Sequence, residues 1–283
     1  MKDVYEIVTE KILEALDKGV IPWRKPWNAP NACNLESGRP YTGMNEFLLG
    51  MADHKRPYYI TFEGAKRLGG HINKGEKGSV AMFWKSLKVK DKETEEEKTI
   101  PYLRYYTVFN IDQTSGLDKQ YEKLESELNI VKHTIGTSAE CDAVLDHYTD
   151  KPEMKHGGTR AFYQPADDRI QLPEKELFTS YQEYYSTLYH EMAHSTGHKA
   201  RLNRLTDLAA FGSDEYSKEE LVAEMAACML CSVAGIGSDT LSNSASYIDN
   251  WKRVIRADKK ILISASSKAK KACEYILKKE AAV

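Results

Sequence analysis

The sequence predicts an α+β protein of two domains. The first observation is length: 283 residues is about twice the commonest domain size. The second is composition, with 29% charged and 41% hydrophobic residues. That is enough apolar material for packed cores, and it excludes a disordered or fibrous chain. The third is an uneven division of charge, hidden by a formal net charge of −2. Residues 21–90 carry 12 Lys+Arg against 5 Asp+Glu, whereas residues 121–283 carry 21 against 25. Aromatic residues such as Trp23, Trp27, Tyr41, Tyr58, Phe83, Trp84, Tyr102 and Tyr106 crowd the basic part. The boundary is placed near residue 125, after the loop Gln113-Thr114-Ser115-Gly116, giving domains 1–125 and 126–283.

Taken in order, the elements begin with an amphipathic helix at 3–18, with Val4, Ile7, Val8, Leu13 and Leu16 inward and Gly19 and Pro22 as stops. A Trp/Pro-rich irregular stretch follows, then helices near 43–53 and 61–69. From 79 to 110 the pattern is β, a hairpin whose solvated tip is D-K-E-T-E-E-E-K at 91–98. The second half opens with a helix at about 120–134. A short β region contains A-F-Y-Q and D-R-I-Q-L. Helices follow near 179–197, 217–234, 243–258 and 260–280. The second domain is thus mostly helical with a small sheet.

Several classes are excluded. The longest mainly apolar run, 221–236, is 16 residues and carries Glu224, so it reads as a buried helix and not a membrane span. No apolar leader follows Met1-Lys2-Asp3, so a cytoplasmic location is expected. Five scattered cysteines fit reduced thiols. Cys228 and Cys231 form a CxxC inside an apolar helical stretch with no second pair, which reads as core.

Residues 190–194 spell His-Glu-Met-Ala-His. On a helix, positions i and i+4 share a face, so His190 and His194 can hold one Zn²⁺ while Glu191 serves as base. A catalytic zinc needs a third protein ligand and one open position. Position 200 is Ala, where the extended metzincin motif has histidine, and no histidine follows His198. A downstream carboxylate is therefore expected, as in gluzincins. Glu220 and Glu224 lie one turn apart in an otherwise apolar helix, where unpaired carboxylates are costly. Glu220 is the expected ligand, with Glu224 holding His190 or serving as the alternative ligand. Ser217 and Glu220 also spell a capping box, which would occupy Glu220 otherwise.

Such a site suits peptide hydrolysis, because zinc polarises a carbonyl and acidifies water while Glu191 carries the proton to the leaving amine. The strand-like segment 161–170 would line the cleft and pair with an extended peptide. Tyr247 is a candidate oxyanion donor, although its helical spacing from Trp251 equally fits core.

In the basic half, Trp23-Arg24-Lys25-Pro26-Trp27 places two rings beside two cations in a proline-stiffened segment. Aromatics stack on unpaired bases and cations neutralise phosphates, which is how single strands are held without sequence readout. Lys74 and Lys77, in Lys-Gly-Glu-Lys-Gly, could approach a nucleic-acid backbone. Tryptophans in such a loop also pack over cores, so the reading rests on the cluster together with the charge excess.

The ordered motifs G-V-I-P-W-R-K-P-W (19–27), Y-T-G-M-N (41–45), K-G-E-K-G (74–78), Y-T-V-F-N (106–110), H-E-M-A-H-S-T-G-H (190–198), R-L-N-R (201–204) and E-E-L-V-A-E (219–224) resemble the ArdC antirestriction family. The resemblance covers nearly the whole chain. It implies an N-terminal domain that binds single-stranded DNA, with Asn45 among the motif residues, followed by a zincin-like metallopeptidase domain. It further implies a mobile-element protein that protects incoming plasmid DNA. Two rival readings stay open: a DNA-binding module with a structural or idle metal, and a plain peptidase whose first half recognises a protein substrate.

Overall fold

The computed structural model describes residues 3–23, 32–52, 54–90, 97–127, 138–205, 213–237 and 245–278, without the side chains of 88–90, 97–98, 125–127 and 245–247. The chain divides into two compact units. Residues 1–11 and 31–130 form the first, and residues 12–30 and 131–283 the second. The opening helix α1 (Val4–Asp17) buries Val4, Val8, Ile12 and Leu16 along one face, while Ile7 and Leu13, expected inward, are only half-buried.

In the first unit, β1 (Cys33–Asn34), α2 (Met44–Gly50), β2 (Tyr58–Ile60), α3 (Phe62–Arg67) and β3 (His71–Ile72) precede the long hairpin β4 (Ser79–Lys90) and β5 (Glu97–Asn110). β6 (Thr114–Ser115) and α4 (Asp118–Glu127) complete it. The main sheet has the order β1-β2-β5-β4, antiparallel except for the parallel β1–β2 pair. β3 and β6 form a separate antiparallel pair. Tyr58, Tyr59 and Ile60 are all buried, because β2 is covered on both faces. Around them lie two apolar groups, one with Tyr41, Leu49, Ala81 and Val108, the other with Leu35, Ala65, Ile111 and Leu117. The expected hairpin is present, and its acidic tip at 91–96 lies outside the described residues.

The Lys-Gly-Glu-Lys-Gly turn has an internal reason for its second glycine. A Cβ on Gly78 would stand 2.2 Å from Thr107 Cγ2 and 2.9 Å from the Val108 carbonyl oxygen. The close approach is to β5 of the same chain.

The second unit contains α5 (Ser138–His147), β7 (Glu153–His156), β8 (Phe162–Gln164), β9 (Arg169–Leu172), α6 (Tyr181–Ser195), α7 (Asp214–Val233), α8 (Ala245–Ala257) and α9 (Ile261–Ile276). Its sheet runs β7-β9-β8, with β7 parallel and β8 antiparallel to β9. α5 and β7 were not expected from the sequence. Tyr185, Leu188 and Met192 of α6 face inward, and α7 is buried from Leu221 to Cys231. Cys228 and Cys231 are buried core thiols outside any disulfide; burial pushes Cys231 well up, reinforced by Cys228, Cys141 and Glu224. No helix among the described residues is long and apolar enough to cross a membrane.

Candidate metal centre

Helix α6 starts where Ser180 accepts a hydrogen bond from the Glu183 N–H at 3.1 Å. Three turns on, His190 and His194 stand on one face with their Nε2 atoms 3.1 Å apart. Glu220 of α7 closes the group, with Oε2 3.5 Å from His190 Nε2 and Oε1 3.3 Å from His194 Nε2. One ligand atom from each of the three residues lies within 4.8 Å of the others. Donors about 2.0–2.2 Å from one tetrahedral ion stand roughly 3.3–3.5 Å from one another. The two imidazole-to-carboxylate separations, one to each Glu220 oxygen, have that size, and the 3.1 Å between the imidazoles is slightly tighter, so the donor set is close to what a divalent ion of zinc's dimensions needs.

Glu220 is no helix cap. Ser213 caps α7, accepting from the Tyr216 N–H at 3.1 Å, and places Glu220 in the second turn of the helix. His198 does not join the group; its Nδ1 accepts from the Ala200 N–H at 3.3 Å.

The electrostatics follow from three ionisable groups held close together, with little exposure to water. Burial alone would pull His194 down, but Glu220 and Glu219 hold it well above the ordinary histidine range. His190 is raised as well, its burial outweighed by Glu220. Burial would raise Glu220, yet the two imidazoles hold it below the ordinary carboxylate range. Glu191 is 7% exposed, and burial lifts its carboxyl against the pull of both histidines. The Tyr163 backbone N–H of β8 donates to Glu191, which ties the base to the small sheet.

One sequence expectation fails here. His190 Nδ1 is buried without a hydrogen-bond partner among the described residues, so Glu224 does not hold that imidazole. Glu224 is 3% exposed and sits near the Cys231 thiol. The acid beside a histidine is instead Glu219, whose Oε1 lies 3.4 Å from His194 Nδ1. Arg204 grips Glu219 with two bonds, Nε to Oε2 at 2.9 Å and a terminal nitrogen to Oε1 at 2.7 Å. That pairing overcomes burial and keeps Glu219 below the ordinary carboxylate range.

The same Arg204 donates to the Ala193 carbonyl at 2.8 Å, and Arg201 Nε donates to the Ser195 carbonyl at 2.8 Å. Two arginines thereby satisfy carbonyls at the buried C-terminal end of α6 and complement its dipole. Gly197 lets their loop return this closely, since a Cβ there would stand 2.7 Å from Leu205 Cγ. Arg201 also clamps Asp168, which Tyr163 joins through its hydroxyl at 2.7 Å. The R-L-N-R stretch thus links the metal helix to the β8–β9 turn. Its role was not read from the sequence, because each arginine's partner is remote.

Removing Glu219 tests this arrangement. Glu219→Ala is expected to weaken metal affinity about 10–100-fold, as losses of ligand-orienting partners do. Chelator competition measures it, and unchanged affinity would leave Arg204 and Glu219 as a purely structural pair.

The residues expected to hold DNA fare unevenly. Trp23 is 2% exposed, and its ring meets Trp251 edge-on at 5.4 Å, so it cannot stack on a base. Asn45 spends its side chain on the Met82 backbone, donating at 2.8 Å and accepting at 2.7 Å, so it is a fold-holding residue. Lys74 and Lys77 are exposed. Arg24, Lys25 and Trp27, and the side chain of Tyr247, lie outside the described residues. Trp23→Ala should therefore cost about 3–5 kcal/mol of stability and leave nucleic-acid affinity unchanged. Denaturant titration and oligonucleotide binding check the two halves of that statement.

A histidine pair on one helix, a glutamate on the next and a small sheet beside the pair define a zincin-like domain. Residues 140–268 match the family model of a zincin-like metallopeptidase, and residues 2–109 match that of the N-terminal domain of anti-restriction factor ArdC. The metal-free crystal structure of the antirestriction protein ArdC from plasmid R388 superposes with a TM-score of 0.80, at 35% identity over 97% of each chain. Its Mn(II)-bound structure gives 0.79, at 33% identity over 98% of each chain. The chain belongs to the ArdC antirestriction family. Two DNA primases TraC of Escherichia coli are each 33% identical over 98% of this chain, which spans only 20% and 27% of their lengths. The y4eC protein of Sinorhizobium fredii is 29% identical, over 97% of this chain and 91% of its own.

Proposed function

We propose that this chain is a cytoplasmic antirestriction protein of a mobile element. In this reading the first domain, residues 1–125, binds single-stranded DNA, and the second, residues 126–283, carries one Zn²⁺ on His190, His194 and Glu220. The observation that carries the reading is the group of three donors with Glu191 beside it. A purely structural site has no use for such a base. That a relative crystallises in a Mn(II)-bound form supports a divalent ion in this chain.

Zinc held there would supply Lewis acidity towards a carbonyl and towards water. Glu191, buried and oriented by the Tyr163 N–H, is placed to take a proton and return it to a leaving amine. β8 is an edge strand of its sheet and offers a surface on which an extended peptide would pair. Glu219 fixes the His194 tautomer by facing its Nδ1.

The test joins two measurements on purified full-length protein. Elemental analysis after zinc reconstitution is expected to find about one equivalent per chain. Oligonucleotide titration is expected to find tighter binding to single strands than to duplex, weakening steeply with salt. A protein that takes up no divalent ion, or prefers duplex, refutes the corresponding half of the reading.

A further inference from the structure

Six of the eleven large hydrophobic side chains exposed among the described residues lie on one hairpin: Phe83, Trp84, Leu87, Ile100, Tyr102 and Tyr105. A soluble surface rarely gathers so much apolar area unless something covers it. Register sorts these residues by face. Phe83 pairs with Arg104, Lys85 with Tyr102, and Leu87 with Ile100, so these three pairs share one face, while Trp84 and Tyr105 occupy the reverse.

Over the first two pairs of that face ring and cation alternate down each strand and across the pair, and Leu87 with Ile100 extends it as an aliphatic end. The Arg104 guanidinium lies 5.2 Å from the Tyr102 ring centroid. The Phe83 ring, 41% exposed, is braced edge-on by Tyr106 at 5.7 Å. No acidic residue occurs at 79–87 or 99–108. The occupant implied is a polyanion that also presents flat apolar surfaces.

We propose that this face of β4 and β5 is the surface that single-stranded DNA occupies, with Phe83 and Tyr102 stacking on bases and Lys85 and Arg104 meeting phosphates. The inference rests on the reading that the basic half binds single strands, and it assigns the site within that half. Side chains on one face of a strand repeat about every 6.7 Å, roughly twice the 3.4 Å step of stacked bases. Bases must therefore be splayed to meet successive rings. A duplex, whose base faces are hidden, cannot do so.

The experiment uses the full-length protein and a fluorescent oligothymidylate, read by anisotropy. Phe83→Ala and Tyr102→Ala should each weaken binding by about tenfold or more, while Phe83→Trp restores it. Arg104→Gln should lower affinity and reduce the salt slope by about one. Trp84→Ala, on the reverse face, should bind as the unaltered protein does. Circular dichroism confirms that the variants are folded. Failure of the unaltered protein to bind at low salt would overturn both the reading and this inference. If that protein binds and the folded Phe83→Ala/Tyr102→Ala variant binds equally well, only the inference falls. Sedimentation adds a further outcome: a dimer that these changes make monomeric without loss of DNA affinity would assign the face to a second copy of the chain and overturn the proposal.

Discussion

Glu220→Ala is expected to leave the protein essentially without its metal. The change removes one of three donors and leaves two imidazoles that alone define no closed geometry. The loss should exceed the roughly 10–100-fold expected for an orienting partner such as Glu219. Elemental analysis of Glu220→Ala beside Glu224→Ala decides the matter. Metal loss in the second and not the first would make the deeper acid the ligand. Affinity should also fall as pH falls. Both histidines sit above their ordinary range when no ion is bound, and they must shed protons to bind one. Proton release on metal binding, read from calorimetry in two buffers, checks the sign.

Glu191→Gln should have the second large effect, and it should be selective. The amide keeps an oxygen for the Tyr163 N–H but cannot take a proton at neutral pH. Hydrolysis of any peptide the protein cleaves should drop about 10²–10⁴-fold, with metal content and single-strand affinity unchanged. A Glu191→Gln protein that is folded and metal-loaded yet loses DNA binding would contradict the proposed separation of the two activities.

The long periodic segments were legible in the sequence because burial imposes its period on them. α6 and α9 show apolar stripes, α7 an almost unbroken apolar run long enough for a buried helix, and the β4–β5 hairpin shows strand-like runs on either side of an acidic turn. The short elements were not. β1, β3 and β6 are two residues each, too brief for any period, and β2 is buried on both faces, which erases alternation. α5 offers only Cys141 and Val144 to the core, a stripe too thin to read.

At the metal centre, His190, Glu191 and His194 were visible because one helix sets their spacing. Glu219 was passed over for Glu224 because the choice depends on Arg204, a loop residue whose position no local pattern reveals. Trp23 shows the same limit in reverse. A tryptophan beside cations has the same sequence signature whether it faces a base or, as here, Trp251.

That contact has a consequence for how the chain is made. Residues 12–30 belong to the unit completed by residues 131–283, and they hold Trp23 against Trp251 and Asp17 against Lys252 at 2.6 Å. On a ribosome the first member of each pair emerges more than two hundred residues before the second. At about 5–20 residues per second, the delay is on the order of 10–50 s. Through that interval Trp23 has no Trp251 to pack against, while residues 31–130 are complete early and free to pair their strands. Synthesis therefore leaves a nascent apolar segment near the N-terminus waiting for its partner, and the C-terminal helices finish a fold begun in the first tenth of the chain.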